Sequence, residues 1–200
     1  MDVVDKKGVL DRIADEIRAC DKCPLAKGRL QAVPGSGNPD ADILFIGEAP
    51  GAQEDKQGIP FVGAAGKFLD EMLVDIGKTR ADVFVTNIVK CRPPDNRDPE
   101  PEEAHACTEI FLFRQIETID PTLIVTLGRH AMRRFIPVDK TITKAHGVLF
   151  HLTSPRTGKK FAILPLYHPA AALYNGSLRS VLKKDFKKIP VFVKKMKKQK

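Results

Sequence analysis

In Ile43-Leu44-Phe45-Ile46-Gly47-Glu48-Ala49-Pro50-Gly51 an apolar run enters a glycine-rich turn. A short unbroken apolar segment stopped by glycine and proline reads as a buried strand that opens into a loop. The same pattern returns downstream. Val83 to Val89 reads as a second strand, ahead of the proline-rich Arg92-Pro93-Pro94-Asp95-Asn96-Arg97-Asp98-Pro99. Leu123-Ile124-Val125-Thr126-Leu127 reads as a third, ahead of Gly128 and a short helix that Pro137 stops. Between these runs the period changes. Phe68, Leu69, Met72, Leu73 and Ile76 recur at helical spacing with Gly77 as the cap. Glu100, Glu102 and Glu103 give an acidic start to a helix through Ile119. Upstream, Val9, Leu10, Ile13 and Ile17 share one helical face within 8–19. Near the end, 147–152 and 160–166 read as a hairpin around Pro155 and Gly158, with a last helix from about Ser177 to Lys188. Strands alternating with helices predict a three-layer α/β/α fold with a central, mainly parallel sheet. Ligands then bind beyond the carboxyl ends of the strands. Gly47–Gly51, the segment from Asn87 and His168-Pro169 all fall on that rim.

The 200 residues, 42% hydrophobic and 29% charged, suit one soluble domain with a sizeable core. We read that domain over 1–190, followed by a basic tail at 191–200. The formal charge is +8, and from Lys183 onward nine lysines face one acid, Asp185, so the remainder balances to about zero. Such an end is either a solvated tail or an arm that holds polyanions without specificity. No apolar run approaches membrane-spanning length, and Met1–Lys7 lacks the apolar core of a secretory signal. The expected location is the cytoplasm. Four Asn and five Gln beside abundant Lys hint at a heat-loving source.

Cys20 and Cys23 form a C-x-x-C, with Cys91 and Cys107 the other two cysteines. A C-x-x-C puts two sulfurs within reach of one metal centre. It ends the first helix before any strand, the wrong place for a thioredoxin-like pair. Spacing favours an iron–sulfur cluster, because structural zinc usually uses two close pairs and the second pair here is wide. Zinc and inert thiols both stay open. Either centre would pin the first helix to the 91–107 segment.

On the rim, Gly47–Asp55 is neither a P-loop nor a dinucleotide fingerprint, and its acids suit water activation or a developing cation. Phe61, in Pro60-Phe61-Val62-Gly63, is a ring in a glycine-flanked loop, fit either for the core or for stacking on a base. Asn87 is an amide inside an apolar strand. It is either capped in place or a reader of a pyrimidine edge, since a carboxamide donates and accepts at once. His168 is singled out by Pro169 and the strand before it; His105, His130, His146 and His151 carry no expected role.

Taken in order, Cys20 and Cys23, Gly47–Gly51 with Glu54-Asp55, Pro60–Gly63, Thr86-Asn87-Ile88-Val89-Lys90-Cys91-Arg92-Pro93-Pro94, Cys107 and His168-Pro169-Ala170-Ala171 resemble family 4 uracil-DNA glycosylase, the thermophile and archaeal type, over about 9–190. The resemblance implies a uracil-DNA glycosylase fold, removal of uracil from single- or double-stranded DNA, and a [4Fe–4S] cluster on Cys20, Cys23, Cys91 and Cys107. It implies that Phe61 stacks on the extruded uracil and that Asn87 reads its edge. It also implies that His168 donates to O2, while Glu48 and Ala49 border the base and position water. Leu173 and Tyr174 are candidates to fill the gap in the base stack. The best-known uracil glycosylases have Asp where this chain has Ala49, which leaves water activation to Glu48 in preference to Glu54. They have Tyr where this chain has Gly51, so no residue is assigned to exclude thymine. The cross-linking subgroup, with its added basic loop, is not matched by Arg92–Pro99.

Three other readings remain: a metal-stabilised nucleic-acid-binding module without catalysis, a glycosylase for another deaminated base such as hypoxanthine, and an electron-transfer protein. The first predicts binding that survives loss of Glu48, Asn87 and His168. Asn87 argues against the second. The third leaves the rim residues without a purpose. A monomer is expected, with no membrane partner, and the sequence leaves room for a sliding clamp.

Overall fold

The computed structural model describes residues 5–137, 139–154 and 156–198. Its six strands are β1 Ser36–Gly37, β2 Ile43–Gly47, β3 Phe84–Asn87, β4 Leu123–Leu127, β5 Phe150–Thr153 and β6 Lys160–Leu166. They form one sheet in the order β1-β3-β2-β4-β6-β5. The four inner strands are mutually parallel, and the short edges β1 and β5 pair antiparallel. The helices are α1 Lys6–Ala19, α2 Ala52–Gln57, α3 Ala64–Asp75, α4 Pro101–Cys107, α5 Phe113–Ile119, α6 Arg129–Arg133, α7 Ile142–Ala145, α8 Pro169–Tyr174, α9 Gly176–Phe186 and α10 Ile189–Lys197.

Alternation along β2 shows why the sheet is covered on both faces. Leu44 and Ile46 join Ile124 and Ile163 in a core closed by α1, α5 and α6. Ile43 and Phe45 join Val125 and Leu164 in a second core closed by α3, α9 and α10. Successive strand side chains point to opposite faces, so an inner strand apolar at every position needs a layer on each side. The expected three-layer architecture is the observed one.

Differences from the sequence reading have local causes. The second strand ends at Asn87, although Ile88 and Val89 still donate backbone bonds to the carbonyls of Gly47 and Glu48. The hairpin's first arm starts at Phe150, because Gly147 turns back to bond the Pro165 carbonyl; Pro155 lies outside the described residues. The helix expected from Glu100 to Ile119 is continuous but interrupted at Thr108–Leu112 by a π-helical turn between α4 and α5.

The basic end is also corrected. Residues 191–197 are not a tail beyond the domain: they belong to α10, which buries Ile189 and Met196 in the second core. Lys197 Nζ reaches Asp42 Oδ2 at 2.5 Å, just ahead of β2. The amphipathic spacing of Ile189, Phe192, Val193 and Met196 holds this segment to the fold despite its lysines. No helix among the described residues is long and apolar enough to cross a membrane.

Candidate active site

Because β2, β3, β4 and β6 are parallel, their carboxyl ends deliver Gly47, Asn87, Gly128 and, two residues past β6, His168 to the same rim. A cavity of about 350 Å³ opens there, and Glu48, Ala49, Phe61, Asn87 and His168 all line it. The five residues singled out for the base therefore converge on one pocket.

Each is held by its own local structure. Asn87 is 1% exposed, and its Oδ1 is buried with no hydrogen-bond partner. An orphaned buried acceptor costs stability unless something from outside supplies a donor. Gly47 makes room for it: a Cβ there would stand 2.3 Å from Asn87 Oδ1 and 2.7 Å from Phe61 Cζ. Phe61 adopts a left-handed φ of 54°, a strained conformation for a bulky residue. Arg80 Nη2 donates to its carbonyl at 2.8 Å, and the Glu54 carboxylate accepts from the next two amides, Val62 and Gly63, at 2.9 Å each. Glu54 also accepts from Gly51 N–H at 3.1 Å, so its carboxylate is committed to tying the two loops together.

His168 caps α8. Its Nδ1 accepts from Ala170 N–H at 3.1 Å, which leaves the ring proton on Nε2. Burial pushes its pKa down to about 4, so the ring is neutral at physiological pH. The Phe61 and His168 rings stack with centroids 5.6 Å apart. Glu48 moves the other way: burial, then the nearby Asp98 carboxylate, push its pKa up to about 7. Leu173 and Tyr174 stand at the far end of α8, outside the pocket lining, and are 41% and 92% exposed.

Away from the rim, Cys20, Cys23, Cys91 and Cys107 line one small pocket between α1, the loop after β3 and α4. All four are free thiols, and Arg29 Nη1 donates to Cys91 Sγ at 3.0 Å. Among the described residues, the one trio of metal-capable donors within 4.8 Å of one another is Glu48, Asp98 and His130. No three cysteine sulfurs meet that limit. Tetrahedral zinc, with Zn–S of about 2.3 Å, would hold its sulfurs about 3.8 Å apart. The four thiols thus form a set wider than one zinc ion needs.

Comparison with known proteins agrees with this architecture. A family model described as the uracil DNA glycosylase superfamily matches residues 34–192. The chain is 52% identical over 185 residues to the type-4 uracil-DNA glycosylase of Saccharolobus solfataricus, covering 90% of this chain and 84% of that protein. It is 50% identical over 184 residues to the type-4 enzyme of Archaeoglobus fulgidus, covering 90% and 91%. With the type-4 enzyme of Thermotoga maritima it shares 42% over 193 residues, covering 95% and 97%.

The chain belongs to the uracil-DNA glycosylase superfamily, in its type-4 branch. In this glycosylase the rim also gathers residues that the sequence did not single out. Asp98, from the proline-rich loop, accepts from Arg129 Nη2 at 3.0 Å and lies 3.1 Å from His130 Nε2 on the same carboxylate oxygen. His130, given no role from sequence, therefore stands at the edge of the site beside Glu48. Arg97, which also lines the pocket, is held by both oxygens of Glu103 at 2.9 and 2.8 Å. Charged residues on a loop and at a short helix start look like solvated surface in a sequence. Only the crossing of the 92–99 loop over the β4 end brings them together.

Proposed function

We propose that this protein hydrolyses the N-glycosidic bond of deoxyuridine in DNA, releasing uracil and leaving an abasic site. The observation that carries the reading is the unpaired buried acceptor of Asn87, in a pocket that a neutral, Nε2-protonated His168 and Phe61 also line. Uracil offers an N3–H to the amide oxygen and O4 to the amide nitrogen; cytosine presents the opposite pattern and leaves both amide groups mismatched.

The chemistry follows from those groups. Uracil leaves as an anion if its O2 is hydrogen-bonded, and His168 Nε2–H supplies that donor without giving up its proton. A fixed donor of this oxyanion-hole type is typically worth about 10²–10³ in rate. The sugar becomes cationic as the bond breaks. Glu48, as a carboxylate, stabilises that charge and orients the attacking water, with Ala49 bordering the base. Glu54 also lines the pocket but spends three acceptor sites on backbone N–H groups, which favours Glu48 for that duty. The base leaves the helix first, at a cost of a few kcal/mol that is least for single strands or mismatches. Leu173 and Tyr174, exposed six residues or fewer beyond His168, fill the vacated stack. The substrate is uracil-containing DNA, bound by a monomer.

The four cysteines fit a [4Fe–4S] cluster, which is held by four thiolates. Cys20 and Cys23 from the end of α1 and Cys91 and Cys107 from either side of the proline-rich loop would hold it. When bound it supplies a structural anchor, and no chemistry at the sugar is assigned to it. Their spread, wider than a single zinc ion requires, supports this choice.

Single-stranded oligonucleotides carrying one U, C, T or hypoxanthine, incubated with the protein and then treated with alkali, test the proposal. Breakage at U only, lost in Asn87→Ala and His168→Ala, is the expected result. Protein with its iron in place that cleaves at no base, yet binds the strands, would leave only the binding-module reading.

A further inference from the structure

Lys90 is the one lysine buried in the core among the described residues, at 1% exposure. Its Nζ lies 2.7 Å from each of three atoms: Thr86 Oγ1, the Asn87 carbonyl oxygen and Gln115 Oε1. Each of these has to accept. The Asn87 atom is a carbonyl. The Gln115 amide is oriented by its own Nε2, which donates to Pro34 O at 2.8 Å. The Thr86 hydroxyl commits its only proton to Pro34 O at 2.9 Å. Three acceptors call for three N–H donors, which an ammonium has and a neutral amine lacks.

Lys90 is therefore a cation inside the core, where an unpaired charge is costly. No carboxylate among the described residues meets it: its three partners are all neutral. What it does border is the cysteine pocket, which it lines together with Cys91 and Cys107. Four thiolates around a [4Fe–4S] core leave that centre net negative. Arg29 offers a second positive charge to Cys91 from the outer, half-exposed side. Lys22 also lines the pocket but is exposed, so among the described lining residues the buried cation is Lys90.

We propose that Lys90 is the internal counter-charge of the four-thiolate centre and at the same time the tether of the base-reading end of β3. It is a positioning residue: it lines the pocket of the centre, and its ammonium clamps the peptide that carries the Asn87 amide. The proposal rests on the cysteines being cluster ligands. On this view the cofactor is not an isolated staple, because its charge is what makes the clamp on Asn87 affordable in a dry core.

Two variants of the iron-loaded protein separate the two duties. Lys90→Met keeps the length and removes the charge. We expect its visible absorbance to bleach under chelator about tenfold faster than native, and its KM for a uracil oligonucleotide to rise about tenfold with kcat changed far less. Thr86→Val removes one acceptor and no charge. Its KM should rise severalfold while its bleaching rate stays native, and this variant carries the test of the tether if Lys90→Met does not fold. Native KM in both variants would overturn the tether. Bleaching equally fast in both, or native in Lys90→Met, would overturn the counter-charge. Native protein without iron would sink the cluster reading and the counter-charge with it, whereas iron-loaded native protein inactive on uracil would sink the glycosylase reading alone.

Discussion

Burial acts in opposite directions on the two titratable groups of the pocket. It keeps His168 neutral, with a pKa of about 4, and it holds the Glu48 carboxyl protonated up to about 7. The first is what a hydrogen-bond donor to a developing anion needs, and it holds at any pH above the depressed value. The second has a cost, because Glu48 serves the cation and the water only once it has lost its proton. The expected profile of kcat/KM therefore rises as pH climbs through about 7 and has no histidine limb. Asp98→Asn removes a like charge beside Glu48 and leaves Arg129 to act on it, so the limb should move to lower pH. A limb unmoved by Asp98→Asn and still present in Glu48→Gln would refute the assignment. The residues legible in the sequence were those that break their neighbours' pattern. Asn87 is polar in an apolar strand, Phe61 is aromatic between glycines, and His168 precedes a proline at a strand end. Asp98, Arg129 and His130 break no pattern, and Lys90 reads like any lysine after a strand until its surroundings are seen.

At the level of elements, the pocket depends on how α3 is joined to the loop before it. Gly66 lies in the first turn of α3, and a Cβ there would stand 1.7 Å from the Phe61 carbonyl oxygen. The same carbonyl is held by Arg80. Gly66→Ala thus forces either the helix or the Phe61 loop to move. We expect a loss of about 1–3 kcal/mol in denaturant unfolding, in the range of overpacking. A higher KM should accompany it as the stacking ring shifts. Native KM at reduced stability would mean that the helix yields and the loop does not. The strand and helix periods were readable because the inner strands are apolar throughout and the helices amphipathic. α10 was missed for another reason: Ile189, Phe192, Val193 and Met196 are followed or interrupted by Lys194, Lys195 and Lys197, so the end reads as a charge run.

Across the whole molecule, the positive end does not sit at the site. Lys197 pairs with Asp42 just ahead of β2, whereas the pocket opens where β2 ends. Replacing Lys194, Lys195 and Lys197 by Gln should leave the salt dependence of KM for uracil DNA nearly unchanged, since only cations at the phosphate track release counterions there. A slope shallower by about one per lysine would show that DNA wraps to the far end.

The π-helical turn at Thr108–Leu112 gives the molecule a gear ratio. Such a turn takes in one residue more than an α turn, about 100° of rotation. Cys107 and Gln115, one facing the thiol pocket and the other gripping Lys90, would diverge by about 80° on an uninterrupted helix; the extra residue brings them back nearly into line. Deleting a single residue between 108 and 112 would leave Cys107 and Gln115 both present and turn one of them away from its partner.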